Sequence, residues 1–478
     1  MKRRRFLGLA VTSLTWPACR LVSAAALPVR QDTAAAKLAV AIRGNLFLPG
    51  SAPYELKRHG FAADVDLHPA MVVQVASARD VSTTVQFARD QKLPLAVRCG
   101  GHSYAGYNSC EGGVVIDLSR LRTLQPAPDG RTIRVGGGAL SGNVEQATAR
   151  IGRATTLGQC PGVGVGGFLL GGGVGPLMSR HGLGCDNVLA AEVVLADGRI
   201  VTASASEHPD LFWAIRGGGG NFGVVTAFTL KLHDITTVLG GYLTYRSSKA
   251  AELLVVLRDL AAAAPDSQSL IATLMPGRDK GFELSVQLCD VGDAEAAQRT
   301  LAALRKSPLL VSDTVVVQPY LALEQQVPFQ IPPMRREYRG GFLPALSGAV
   351  IASLAEAVAN APDRNGEISL IFMHGAVTAV AADATAFPLR RRGFAHGVAA
   401  NQSTGPGTDR AAAWVRTTAR ALAPFGDGAY VNVMGREDTA AVRAAYAGNY
   451  ARLAALKAKY DPANLFNVNQ NITPGGRS

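Results

Sequence analysis

Apolar and polar residues alternate along this chain with two periods, and the places where the period changes outline its elements. In "PAMVVQVASARDVSTTVQFARDQKLPLAVRCGGHS" (69–103) a short apolar run precedes an amphipathic stretch with a repeat near 3.6, and a second apolar run follows. That order predicts strand, helix, strand and then a glycine loop. "AAAKLAVAIRG" (34–44) and "VEQATARIGRATT" (144–156) predict further helices. "DNVLAAEVVLADGRIVTAS" (186–204) reads as a hairpin turning at Asp197-Gly198, and the β-branched "NFGVVTAFTLKLH" (221–233) as a strand. Beyond about Gly240 glycines thin out, and amphipathic helices are expected near 248–263 and 293–306. "GEISLIFMHGAVTAV" (366–380) and "GFAHGVAANQS" (393–403) read as neighbouring sheet strands. "VRAAYAGNYARLAALKAKYDPANLF" (442–466) predicts one amphipathic helix closed at Asp461-Pro462.

This succession predicts an α+β protein of two lobes. A glycine-looped lobe spans 37–235 and is completed by a tail at 436–478, and a sheet-and-helix lobe is inserted at 236–435. A chain of 478 residues is too long for one ordinary core. Its 48% hydrophobic and 18% charged content suits a packed body and excludes disorder.

Composition adds three points. The 52 glycines exceed the usual share of about 7% and cluster at 100–113, 136–142, 158–175 and 217–223. "MKRRRFLGLAVTSL" joins a cationic start to an apolar run, with small residues following at Ala24-Ala25-Ala26. Residues 1–26 are therefore expected to be a cleaved targeting segment. Arg3-Arg4-Arg5-Phe6-Leu7 has the twin-arginine form, which exports folded proteins to the bacterial periplasm or beyond; an ordinary secretory signal is the alternative. No other apolar run approaches the ~20 residues of a membrane span. Removing that segment lowers the formal charge from +12 to +7, since it holds Lys2, Arg3, Arg4, Arg5 and Arg20 and no acid. The remaining basic residues, Arg390-Arg391-Arg392 among them, form no long run with interleaved aromatics, which argues against nucleic-acid binding. Cys19 leaves with the segment, so Cys99, Cys110, Cys160, Cys185 and Cys289 remain, an odd number. No C-x-x-C pair and no histidine cluster supports a metal site.

Two glycine-dense loops carry the chemistry. In "GQCPGVGVGGFLLGGG" (158–173), residues 162–167 satisfy G-x-G-x-x-G, the pattern of a dinucleotide loop. Their surroundings oppose that reading: the polar "RATTLGQCP" with Pro161 precedes them, and three glycines at 171–173 interrupt the helix that should follow. Val163, Val165, Phe168, Leu169 and Leu170 make the stretch too apolar for a flexible linker. Backbone lying close to something flat and buried fits it better. In "VRCGGHSYAGYNSC" (97–110), Gly100 and Gly101 expose N–H groups that can nest a pyrophosphate without lysine. Taken singly, His102 reads as a polar loop histidine and Cys160 as an inert thiol.

Taken together, "R-x-G-G-H-S-x-x-G" and "G-x-C-P-x-V-G-V-G-G", with "DNVLAAEVVLADGRIV", "DLFWAIRGGGGNFGVVTAFTLKLH" and the terminal "KYDPANLFNVNQNI", resemble the berberine bridge enzyme-like branch of the vanillyl-alcohol oxidase, or PCMH-type, flavoproteins. The resemblance covers about 64–235 and 440–478, and the middle more loosely. It implies a PCMH-type FAD-binding domain with an inserted antiparallel-sheet substrate domain. It further implies FAD bound bicovalently, through His102 at the flavin 8α-methyl and Cys160 at flavin C6. Arg98, Gly100, Gly101, Ser103 and Gly106 would complete the first clamp, and Gly158, Val163, Gly164, Gly166 and Gly167 would lie along the ring. Gly218, Gly219, Gly220, Gly223 and Val225 would line the adenosine side, with Asn469 reaching back from the tail. If Cys160 is spent on flavin, four cysteines remain.

The implied reaction takes hydride from a CH–OH group, of a sugar, an oligosaccharide or a secondary-metabolite alcohol, and passes the electrons to O2 as hydrogen peroxide. Val163, three residues after Cys160, implies a pocket open to oxygen. The rivals are a dehydrogenase with another acceptor, an oxidase of amines or alkaloids, and a periplasmic ligand-binding protein. Two positions depart from the family: Phe168 stands where many relatives have histidine, and Tyr430-Val431-Asn432-Val433 keeps only the first tyrosine of Y-x-N-Y. The base that removes the hydroxyl proton is then Tyr430, or in its place His374 or His396.

Overall fold

The computed structural model describes residues 33–475 apart from 279–280, 330, 363, 403–407 and 437–438. The expected targeting segment at 1–26, with its arginine motif and Cys19, lies outside the described residues. The fold is α+β.

The first lobe holds two main sheets with a helix between them, and a small pair of strands, Arg153–Ala154 with His233–Asp234. Met71–Gln74 and Leu95–Arg98 flank Val114–Asp117 in parallel, and Asn45–Phe47 adds an antiparallel edge. Parallel strands are covered on both faces and read as unbroken apolar runs, as "MVV" and "VVI" do here. The helix Ala78–Asp90 starts at Ser77, whose hydroxyl accepts from the Asp80 amide at 3.1 Å. Its Val81, Val85 and Ala88 form one apolar stripe, packed on this sheet and on Val194 and Val224 of the next. The second sheet is antiparallel, in the order Leu124–Pro126, Thr132–Gly136, Val224–Lys231, Val188–Val194, Ile200–Ser204. The Asp197-Gly198 turn is where the hairpin pattern places it, with Gly198 at φ +88°.

The second lobe is one antiparallel sheet. Its strands run in the order Leu310–Asp313, Thr237–Ser247, Phe282–Asp290, Gln268–Pro276, Gly366–Met373, Gly393–Gln402, Arg335–Leu343, and Val316–Pro319 also pairs with Thr237–Ser247. The helices Ala250–Ala263, Gly348–Ala359 and Thr408–Leu422 cover one face, where Leu253, Leu257, Leu354 and Val415 meet Leu270, Leu288, Ile368 and Val398. The other face looks onto the first lobe.

The chain rejoins the first lobe before residue 436, since Val431 and Met434 already pack in its core with Leu169 and Phe212. The tail is two helices and not the single one expected, Thr439–Tyr446 and Tyr450–Tyr460. The break at Ala447, with φ +47°, lets the Asn449 amide donate to the carbonyls of Ala382 at 2.8 Å and Thr385 at 3.2 Å. Anchoring the tail outweighs the propensity for one long helix. Past the break, Lys457 and Asp461 form a fully buried ion pair at 2.7 Å. Lys457 also donates to the carbonyls of Asn221 and Phe466, and Asp461 accepts from the amides of Leu465 and Phe466. Every charge is thus partnered, the condition for burying it. Through Asn221 the pair fixes the turn 218–221 on which the site is built.

Candidate active site

A cavity of about 530 Å³ lies between the lobes. Its first wall is backbone. Gly100 and Gly164 stand back to back: a Cβ on Gly164 would lie 2.3 Å from both the Gly100 nitrogen and the Cys99 sulfur. The two glycine loops therefore cross where no side chain fits. The helix Ser141–Ala149 holds the second loop by its first turn, Ser141 N–H donating to the Val163 carbonyl at 2.9 Å and Gly142 N–H to the Pro161 carbonyl at 3.0 Å. After Val163 the chain makes only the short helix Val165–Leu170, then turns back through Gly172 at φ +122° and Gly173 at φ +84°. That rules out a dinucleotide loop of the Rossmann kind, which needs a long helix at this point. The Phe168 ring is wedged against Gly158, Gly173 and Gly184.

His102 and Cys160 both line the cavity. The imidazole stacks on Phe61 at 4.6 Å, and its Nε2 lies 3.7 Å from where a Cβ on Gly162 would be. Burial, helped by the charge of Arg336, holds His102 below its ordinary pKa and so neutral. Burial raises the Cys160 thiol; Arg336 pulls it back, and Glu324 and Glu145 push it further up.

Of the other expected residues, Gly100, Gly101, Ser103, Gly158, Val163, Gly164, Gly166, Gly167, Gly219, Gly220, Gly223, Val225, Asn469 and Tyr430 line the cavity. Five do not. Arg98 lies behind the first loop, packed on Gly101 and donating to the His59 carbonyl, so it buttresses the clamp from outside. Gly106 serves a turn, its φ of +71° placing it against Val65. Gly218 packs into the core against Leu453 and Phe222. His396 pairs in register with Leu370 and Gly341, and strand alternation sends these to the helix-covered face. His374 is fully buried past the end of the same sheet, stacked on Phe372, with Nε2 at 2.8 Å from the Gln268 carbonyl. Neither histidine reaches the cavity, and their candidacy as the base is withdrawn.

Tyr430 sits where the two walls meet. Its phenol oxygen accepts from the amides of Gly173 at 3.1 Å and Val174 at 3.2 Å, and from Asn432 Nδ2 at 2.9 Å. A neutral phenol has two lone pairs for three donors, so this arrangement favours the phenolate. Burial works the other way and pushes the group up to about 12.

The second wall is made of side chains that single-residue reading passed over. Glu367, Ser369 and Ile371 share one strand face with Thr273, Ile271 and Tyr338. Arg336 pairs with Glu367 at 2.5 Å and lies over the Tyr104 and Tyr338 rings at 4.7 and 5.5 Å. A Cβ on Gly397 would overlap the Tyr338 phenol, so that glycine makes room for the ring. The alternation in "GEISLIFM" and "RREYRGGFL" was the available signal.

The cavity suits a dinucleotide carrying a flat ring. Gly167 and Gly220 line it, yet a Cβ on either would meet nothing within 4 Å, so bare backbone faces open space. Around the Gly219–Val225 end, the side-chain oxygens of Tyr446, Asn469 and Gln470 are buried without a partner, as is that of Asn108 on the first loop, as hydrogen-bonding groups awaiting a polar ligand would be. All five described cysteines are free. No described helix is long and apolar enough to cross a membrane.

Known proteins agree with this geometry. Residues 69–204 match the FAD binding domain family, and residues 429–473 match the berberine and berberine-like family. The chain is 32% identical over 465 residues to (R)-6-hydroxynicotine oxidase of Paenarthrobacter nicotinovorans, covering 91% of this chain and 98% of that protein. It is 29% identical over 448 residues to an uncharacterised FAD-linked oxidoreductase of Bacillus subtilis, covering 91% and 98%. The crystal structure of 6-hydroxy-D-nicotine oxidase from Arthrobacter nicotinovorans matches with a TM-score of 0.84 at 28% identity, over 91% of this chain and 98% of that one. Xylooligosaccharide oxidase from Myceliophthora thermophila, in complex with xylobiose, matches with a TM-score of 0.83 at 26% identity, over 92% and 99%.

Proposed function

Because the chain belongs to the berberine bridge enzyme-like FAD-linked oxidoreductases, we propose that it is an oxidase whose FAD is held by two covalent bonds, to His102 and to Cys160. The observation that carries this reading is the crossing of the two glycine loops at Gly100 and Gly164, with both nucleophiles on the cavity they enclose. FAD, when bound, accepts the hydride and hands the electrons on. The chain's own residues do the rest. Backbone of Gly100–Ser103 would hold the pyrophosphate, the segment 158–167 would hold the ring, and the unpartnered oxygens near Asn469 would receive the adenosine portion. Two covalent links hold the ring without deep enclosure, which leaves the sheet-side wall free to receive a bulky substrate.

The substrate is a CH–OH compound of sugar or oligosaccharide type. Glu367, Arg336, Ser369, Thr273 and Gln159 give the cavity donors and acceptors suited to several hydroxyls. Tyr430, as phenolate, takes the hydroxyl proton as the hydride leaves and becomes the neutral phenol, the three N–H groups around its oxygen stabilising the charge it carries beforehand. Val163 lines the cavity and leaves room for dioxygen, which accepts the electrons and becomes hydrogen peroxide. Export in folded form through the twin-arginine segment fits a cofactor installed before transport. An amine substrate is the second reading, favoured by the hydroxynicotine oxidase relative.

The test is peroxide release from the purified protein across oligosaccharides, simple alcohols and cyclic amines. Peroxide with oligosaccharides supports the first reading, and peroxide with amines alone the second. Reduction of an artificial acceptor without peroxide would replace the oxidase by a dehydrogenase.

A further inference from the structure

Among the described residues, Arg336 is the one cation that influences both His102 and Cys160, and the fold goes to some length to put it there. It stands two residues after Met334, whose amide donates to the Phe61 carbonyl at 3.0 Å and whose carbonyl accepts from Ala63 at 3.0 Å. Phe61 in turn stacks on His102. The strand that carries Arg336 is thereby stitched to the imidazole's own platform. Tyr104, two residues beyond His102, and Tyr338 stack at 5.4 Å and hold the guanidinium, and Glu367 pins its far end. Its Nε is buried without a partner.

We propose that Arg336 is a positioning residue for cofactor attachment, its guanidinium fixed by the Tyr104–Tyr338 stack and Glu367 so that its charge bears on both nucleophiles, His102 and Cys160. Neutral imidazole and thiolate are the forms that attack a ring carbon. The inference rests on the bicovalent reading above. Each bond forms by loss of two hydrogens: the proton on the nucleophile and one hydrogen on the ring system leave. A C–N or C–S bond replaces C–H, and the electron pair passes to dioxygen to give hydrogen peroxide. A nearby cation favours both nucleophiles at once, because both react in their less protonated state. Among the described residues, Arg336 lowers the Cys160 thiol, and Glu324 and Glu145 would raise it when ionised, but burial holds both protonated near neutral pH. The Tyr104 and Tyr242 phenols also face it, and His102 faces the charge of Arg336. Arg336 itself faces Glu367, Tyr104, Tyr338 and Cys160. Removing its charge therefore leaves burial unopposed at the thiol, whereas burial by itself keeps His102 neutral, and attachment through sulfur is the bond that suffers more.

The experiment uses full-length chain made in a riboflavin-requiring host and mixed aerobically with FAD, with each bond followed by intact mass and peptide mapping after denaturation. Wild type is expected to form both. Arg336→Gln keeps a hydrogen bond to Glu367 without the charge. At pH 7 it is expected to form the Cys160 bond about tenfold more slowly, as one pKa unit would give. Its rate should recover toward pH 9, and Arg336→Lys should keep the wild-type pH profile. Wild-type rates for Arg336→Gln, or a lysine variant as slow as the glutamine one, would overturn the proposal. If the glutamine variant melts before it can be assayed, the lysine profile decides: unshifted supports, shifted overturns. A wild type that never bonds Cys160 fails the bicovalent reading itself, a different result from a wild type that bonds and a variant that bonds equally well.

Discussion

The two walls of the cavity are built from different materials. Opposite the sheet, the contact surface is peptide backbone, laid bare by glycines at 100, 101, 164, 166, 167, 219 and 220. On the sheet, it is side chains projecting from alternate strand positions, Glu367, Ser369 and Ile371 beside Thr273, Arg336 and Tyr338. A backbone wall accepts few changes, because a Cβ at Gly100, Gly164 or Gly166 meets another main chain and one at Gly167 or Gly220 would intrude on the cavity. A side-chain wall can be repainted residue by residue while its strands stay paired. The first suits a partner whose shape never varies, the second one that differs from enzyme to enzyme. The relatives differ in this respect by name, one being called a hydroxynicotine oxidase and another having been solved with xylobiose.

The sharpest probe is Tyr430, where the walls touch. Tyr430→Phe keeps the ring in its apolar setting beside Phe387 and removes only the oxygen that three N–H groups address. Anaerobic flavin reduction is expected to slow by about 10²–10⁴-fold, the usual weight of a general base, as read by stopped-flow absorbance. Reduction at the wild-type rate would mean that these donors merely hold a packing tyrosine. The second probe breaks the backbone wall. Gly164→Ala places a methyl 2.3 Å from the Gly100 nitrogen, and the loops must part to admit it. Overpacking of this kind costs about 1–3 kcal/mol, so the rate of covalent FAD incorporation into apoprotein should drop about ten- to a hundredfold. Incorporation at the wild-type rate in the alanine variant would show that the loops have slack.

Legibility in the sequence divides along the same line. Where backbone makes the site, glycine spacing records it, so the loops at 100–106 and 158–173 and the turn at 218–223 could be read directly. Even there, Arg98, Gly106 and Gly218 sit one layer behind the cavity: spacing tells which residues belong to a loop and not which side they present. Where side chains make the site, position depends on strands distant in sequence. Glu367 becomes a site residue only because its strand lies between Gln268–Pro276 and Gly393–Gln402 with that face turned toward the first lobe. His374 and His396 misled for this reason. They lie on the expected strands or just past them, but alternation puts His396 in step with Leu370, on the face the helices cover. The tail's two-helix form was likewise hidden, since the Asn449 anchor acts on residues 382–385.

His396 gives the third and smallest probe, aimed at the two faces of the sheet. His396→Leu should leave flavin reduction unchanged, because the side chain is off the cavity. It should alter acid stability instead. Burial lowers this histidine to about 4 from an unfolded value near 6.5. Between those values the unfolded chain takes up a proton that the folded one refuses, so stability falls as pH drops from about 6.5 to 4. The leucine variant should lose less over that window, as melting temperature against pH would show. Slowed flavin reduction would return His396 to the reacting side.

The central claim is that two crossing loops each bond one cofactor. Intact mass under denaturing conditions tests it most directly, on wild type, His102→Ala, Cys160→Ala and the double variant. The account predicts one FAD retained by the wild type and by each single variant, and none by the double. Complete loss of bound flavin in His102→Ala, or peptide mapping that finds Cys160 unmodified in the wild type, would contradict it.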